Sequence, residues 1–457
     1  MSDGCNDCNR TELIRRAVAE AGRGLPGIEP GMPLPAGTGL TRRSFVTRTA
    51  GLALAVYGGS RLGAQAFDEG IAQAATASNP VLVSVFLDGG IDSLSVLFPA
   101  GDPAYYALRP KLALPQDAGT PFAEDSRLRW HPAAGGLAAL HGEGKVSVLP
   151  AIGYAQSNQS HFTSRHYWEV GATDANLRTG WLGRYLDHVG SADNPLQGLS
   201  LDTRLQPSLA TAKMPIASLE AADRYTFTPV GTKPHPLERP MLDAAADVGA
   251  AHAKSKDPGL RQAGQTAIQS QALSGQLGSF AAGIQSPVAY PVSRDDFPHR
   301  LAGLAAMLAA GLPLRVVSLT APGHYDTHAT QANALRDGLQ LTADSLLAFQ
   351  RDLEARGIAD RVLIHVWSEF GRRARENGSD GTDHGSAGVG FVIGSRVRGK
   401  MLGEFPGVSG GLDSQGNLRP TADFRAIYAA LLEQWLGTDA NAIIPGVSVF
   451  GRPAIVR

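Results

Sequence analysis

Acidic and imidazole side chains recur in this chain just after short apolar runs. Asp326 and His328 flank Thr327, and Asp383 and His384 are adjacent. Carboxylate oxygens and imidazole nitrogens are donors for a divalent cation such as zinc, manganese or calcium. Consecutive residues of a strand point to opposite faces, but an irregular loop can aim both at one centre or at two. Two neighbouring cations would activate water and stabilise both oxygens of a phosphoryl or sulfuryl displacement. Asp92 and Glu369 offer further carboxylates for such a site. Ser93 is a candidate nucleophile, His161 and His324 are candidate acid–base groups, and Arg372 is a candidate counter-charge for an anionic substrate. His161 also has the chemistry of a ligand. Each group has a plainer role open to it. Asp88, Asp92, Ser93 and the Asp383–His384 pair suit turn capping. His324 suits loop hydrogen bonding, and Glu369 with Arg372 suits a local ion pair.

These residues need elements to carry them. Val81–Leu87 is an apolar run bounded by Pro80 and Asp88, and Gly89–Gly90 then demand an open turn. Lys145–Ala151, Arg315–Thr320, Arg361–Trp367 and Gly390–Ile393 read as further strands. Leu301–Leu312 and Ala422–Leu436 read as helices. In Asn333–Leu353 the residues Leu335, Leu339, Leu346, Phe349 and Leu353 recur at helical spacing. Short strands alternating with helices predict an α/β fold with a mostly parallel sheet covered on both faces. In such sheets ligands collect beyond the carboxyl ends of the strands. The loops 88–93, 323–328 and 368–373 occupy those positions, and 382–385 adds a fourth. Segment 202–297 is rich in Ala, Gly, Pro and Ser and reads as a cap or insertion in a domain spanning 81–457.

The ends and the composition narrow the setting. The chain has 457 residues and a formal charge of -1, which excludes steering by nucleic acid. Residues 1–40 read as a flexible extension. Thr41-Arg42-Arg43-Ser44-Phe45-Val46 precedes the apolar run Gly51–Tyr57, and Ala64-Gln65-Ala66 has the small-residue pattern of a cleavage site. Residues 41–66 therefore read as a twin-arginine signal and 67–80 as a linker, which implies the twin-arginine export machinery as a partner and a periplasmic or extracellular destination. The only cysteines, Cys5 and Cys8, precede that cleavage site. A mature domain without cysteine has no disulfide, thiol nucleophile or thiolate ligand.

Taken together, the motifs resemble the DUF1501 family of exported bacterial proteins. The matching stretches are Phe86-Leu87-Asp88-Gly89-Gly90-Ile91-Asp92-Ser93-Leu94, Ser160-His161-Phe162 and Asp326-Thr327-His328. They continue with Ser368-Glu369-Phe370-Gly371-Arg372-Arg373, Gly381-Thr382-Asp383-His384-Gly385, and the run from Asp423-Phe424-Arg425 to Trp435-Leu436-Gly437. The resemblance implies an alkaline-phosphatase-like α/β sandwich with metals at the sheet ends. It implies Asp92, Asp326, His328, Asp383 and His384 as metal residues and a nucleophile-like place for Ser93. The expected function is metal-dependent hydrolysis of an extracytoplasmic phosphate or sulfate ester. The alternative is a non-catalytic metal-binding envelope or assembly protein. A partner of redox chemistry is a third class, disfavoured by the absence of a dinucleotide fingerprint.

Overall fold

The computed structural model describes residues 56–57, 79–192, 194–225 and 238–457. Cys5, Cys8, the arginine pair and the cleavage pattern lie outside the described residues. Of the proposed signal's apolar run, Val56–Tyr57 (β1) is described. The strands that bear on the site are Val81–Phe86 (β2), Val146–Gly153 (β3), Gly198–Ser200 (β4), Ile216–Ser218 (β5), Val316–Thr320 (β6) and Val362–Trp367 (β7). Arg372–Glu376 (β8) and Thr382–His384 (β9) follow, then Gly388–Ile393 (β10) and Ala422–Asp423 (β11). The helices used below are Ser93–Val96 (α1), Gly135–Gly142 (α2), His161–Val170 (α3), Phe297–Ala309 (α4), Gln331–Ala355 (α5) and Phe424–Ala430 (α6).

One nine-stranded sheet runs β1-β5-β4-β6-β2-β7-β10-β3-β11. The block β5-β4-β6-β2-β7 is parallel throughout. In the centre, Val81 pairs with Val362 and Phe86 with Trp367, while Phe86 pairs with Thr320 on the other side. The three strands therefore end level, and their exit loops emerge side by side. β10 departs from the expected parallel course: it is antiparallel to both β7 and β3. The β8–β9 ribbon explains this, since it turns the chain back before β10 begins.

Alternation along β2 shows why both faces must be covered. Val81, Val83 and Val85 enter one core with Leu335, Leu339, Leu346, Phe349 and Leu353 of α5. Leu82 and Phe86 enter a second core with Trp168 of α3 and with Phe424 and Tyr428 of α6. A fully buried parallel strand reads as a continuous apolar run because it has no solvent face. The result is an α/β sandwich with a mostly parallel central sheet between helical layers. Within 202–297, β5 joins the sheet, while helices Glu238–His252 and Pro258–Leu277 pack on each other. Among the described residues, no helix is long and apolar enough to cross a membrane.

Candidate metal centre

Four side chains meet where β6, β9 and the start of α3 come together. Asp326 lies in the loop after β6, and its Oδ1 is the common point. His161 Nε2 stands 3.3 Å from it, His328 Nε2 3.1 Å and His384 Nε2 3.3 Å. Ligand atoms of His161, Asp326 and His384 all lie within 4.8 Å of one another, so this trio can hold a divalent cation. His328 stands beside it, its Nε2 3.0 Å from His384 Nε2. Among the described residues this is the one group of three or more such donors.

Each imidazole is aimed by a partner on its far nitrogen. His161 Nδ1 lies 2.7 Å from Glu369 Oε1, His384 Nδ1 2.7 Å from the Gln159 carbonyl, and His328 Nδ1 3.3 Å from Asp383 Oδ1. A carbonyl only accepts, so the proton of a neutral His384 sits on Nδ1 and its Nε2 presents a lone pair. Asp383 does the same for His328. Two lone pairs 3.0 Å apart need a proton or a cation between them. The buried Nε2 of His161 has no partner with hydrogen-bond geometry. These inward-facing nitrogens fit a metal.

The loops approach closely enough because of their glycines. A Cβ at Gly89, whose φ is +109°, would strike the backbone at Tyr325–Asp326, and one at Gly381 would strike the backbone of His328. The freed amides of Gly89 and Gly90 donate to Glu369, which is fully buried. Burial would raise the Glu369 pKa, but its bond to His161 holds it below the usual carboxylate range. Burial likewise opposes the charge on Asp326, yet the imidazoles of His161, His328 and His384 gathered around its Oδ1, with the nearby Arg372, hold it far below its ordinary value. Burial would lower His161, but Asp326 and Glu369 push it up to about 9. Burial dominates at His384 and lowers it.

Several expected residues have other places. Asp92 is not at the centre. It is buried in a bidentate pair with Arg109, at 2.5 and 2.9 Å, and also accepts from Ser95 and Gln331. Ser93 Oγ, buried at the start of α1, donates to the Ala387 carbonyl at 3.1 Å. Arg372 is wholly engaged by protein. Its Nε bonds Gly90 O, its Nη1 Thr382 O, and its Nη2 Gly89 O, Tyr325 O and Asp326 Oδ1. It clamps three loops and is buried among them, so it presents no exposed donor to a substrate anion. Glu369 and Asp383 stand behind histidines rather than among the converging atoms, and the expected Glu369–Arg372 ion pair is replaced by these bonds. His324 is exposed in the same loop as Asp326. The expectation of two metal positions meets one cluster.

Three supporting groups had no signal in the sequence. Gln331, at the start of α5, accepts from Thr327 and Thr382 and donates to Asp92, tying both metal-facing loops together. Arg109 has nothing beside it to announce a buried charge. The Gln159 carbonyl is invisible because any residue type supplies one.

A family model described as "Protein of unknown function (DUF1501)" matches residues 130–444. No curated protein matches the sequence. The chain is similar to the C-terminal periplasmic domain of EcEptC from Escherichia coli in complex with zinc, at 9% identity and a TM-score of 0.39, over 82% of this chain and 87% of that one. It is similar to a protein in the alkaline phosphatase superfamily from Vibrio parahaemolyticus, at 9% identity and a TM-score of 0.36, over 86% and 78%. It is also similar to the PsFucS1 sulfatase from Pseudoalteromonas sp., at 12% identity and a TM-score of 0.34, over 86% and 77%.

Proposed function

The chain belongs to the DUF1501 family, and from its centre we propose that it is a metal-dependent hydrolase of a phosphate or sulfate ester outside the cytoplasm. The observation that carries this reading is the convergence of imidazole Nε2 atoms on Asp326, each pinned from behind by an acceptor. His161, Asp326 and His384 would hold one divalent cation. When bound, such a cation polarises an ester oxygen and makes water a better nucleophile. His328, oriented by Asp383, would take the proton from the attacking water. With Ser93 tied to Ala387, water is the better-supported nucleophile. With Arg372 tied to the loops, Arg165 is the better-supported counter-charge. It follows His161 by four residues on α3, so it shares that face; its Nε is held by Glu169 at 2.7 Å, while its Nη1 lies partly exposed 3.8 Å from Asp88. Export is proposed from Arg42, Arg43 and the apolar run after them.

The engagement of Ser93 and Arg372 by the protein also favours a second reading, a metal-binding envelope or assembly protein without turnover. Nitrophenyl phosphate and nitrophenyl sulfate, assayed with stripped and metal-loaded protein, separate the two. Metal-dependent release of nitrophenol supports the hydrolase. Bound metal without release on either ester supports the second reading.

A further inference from the structure

We propose that a cleft outside the metal centre binds a small organic anion with an apolar body. The cleft has a volume of about 380 Å³, within the range of small-molecule sites. It opens between the 112–114 segment, the turn after His131 and the first turns of α5. Leu112, Leu114 and Leu335 give it apolar walls, and no carboxylate lines it. Its polar equipment is therefore suited to an acceptor.

His131 supplies the first donor. It is 8% exposed, and its Nδ1 accepts the Ala133 amide at 2.9 Å. Nδ1 therefore carries no proton, and a neutral ring holds its proton on Nε2. Burial lowers this histidine to about 4, so the ring is neutral at neutral pH. Nε2 has no hydrogen-bond partner among the described residues. That atom keeps some exposure, so its N–H is open to an acceptor that enters the cleft. Arg336 supplies the charge at the mouth. Asp337 engages its Nε and Nη2, while Nη1 has no protein partner among the described residues. The other buried polar groups of the wall are already occupied: Ser95 and Gln331 bond Asp92. An anion reaching His131 Nε2 and Arg336, with its body against the leucines, satisfies every element of the cleft.

Calorimetric titration of the full chain tests this, with benzoate as probe and benzamide as its uncharged counterpart. Saturable one-site benzoate binding is expected, equal in metal-stripped and metal-loaded protein, with benzamide at least about fivefold weaker. Leu114→Trp should fill the cleft and abolish binding. Arg336→Gln, an exposed change that leaves the core alone, should weaken benzoate about tenfold, with thermal melts confirming that both variants fold. No saturation, equal binding of benzamide, binding only with metal present, or benzoate affinity unchanged in Arg336→Gln would each overturn the proposal. The metal arm keeps it separable from the hydrolase reading, since a carboxylate bound at the centre would need the cation.

Discussion

His328 and Asp92 are the residues whose exchange of roles matters most. In sequence both are acids or bases beside glycine-rich turns, and both fit a ligand. Side-chain direction decides between them, and that depends on partners far along the chain. Asp92 is matched by Arg109 and Gln331, so its charge is consumed inside the protein. We expect Asp92→Asn to destabilise the fold by about 3 kcal/mol, the cost of leaving a buried guanidinium uncompensated. Metal content in the protein that remains folded should be unchanged, as elemental analysis beside denaturant melts would show. His328 lies outside the trio but touches His384. His328→Gln should keep most of the bound metal while lowering turnover at least about a hundredfold, the usual worth of a positioned base. Equal loss of metal and turnover would make it a fourth ligand instead. The Asp326-Thr327-His328 and Asp383–His384 pairs were legible because acid and imidazole adjoin at strand exits. Glu369 was legible as important, but its part as the group aiming His161 was not, because 208 residues separate them.

Strands β2, β6 and β7 were readable as apolar runs, and α5 as an amphipathic stripe, because each buries the faces its pattern announces. The antiparallel course of β10 was not readable, since direction is set by the β8–β9 ribbon and not by the strand's own residues. His365 on β7 is the one element of that strand at odds with its surroundings. Both its ring nitrogens are buried without partners, and its ring packs edge-on to Tyr428 at 5.5 Å. Burial lowers it to about 3, against about 6.5 in an unfolded chain. Between those values the unfolded chain binds a proton that the folded chain refuses, so stability falls as pH drops. The contribution is about 1.4 kcal/mol for each pH unit in that window. His365→Phe should therefore lose less stability than the wild type between pH 6.5 and 4, in urea melts taken at steps across the window. Parallel losses in the two proteins would show that this ring does not titrate with folding.

As a whole, the molecule sets loops from distant parts of the sequence at one edge of one sheet. The level ends of β2, β6 and β7 make that possible, and the clamp of Arg372 holds it. Its place in the cell rests on the segment before the domain. Arg42→Lys with Arg43→Lys should leave the protein in the cytoplasm, and fractionation showing undiminished export would remove twin-arginine dependence. The centre itself is tested most directly by metal stoichiometry. Wild-type protein, stripped and reloaded with zinc or manganese, should hold one ion per chain after gel filtration. His161→Ala, Asp326→Ala and His384→Ala should each lose most of it while keeping a cooperative melt. Full metal content in all three folded variants, or no retained metal in the wild type, would contradict a centre built from these side chains.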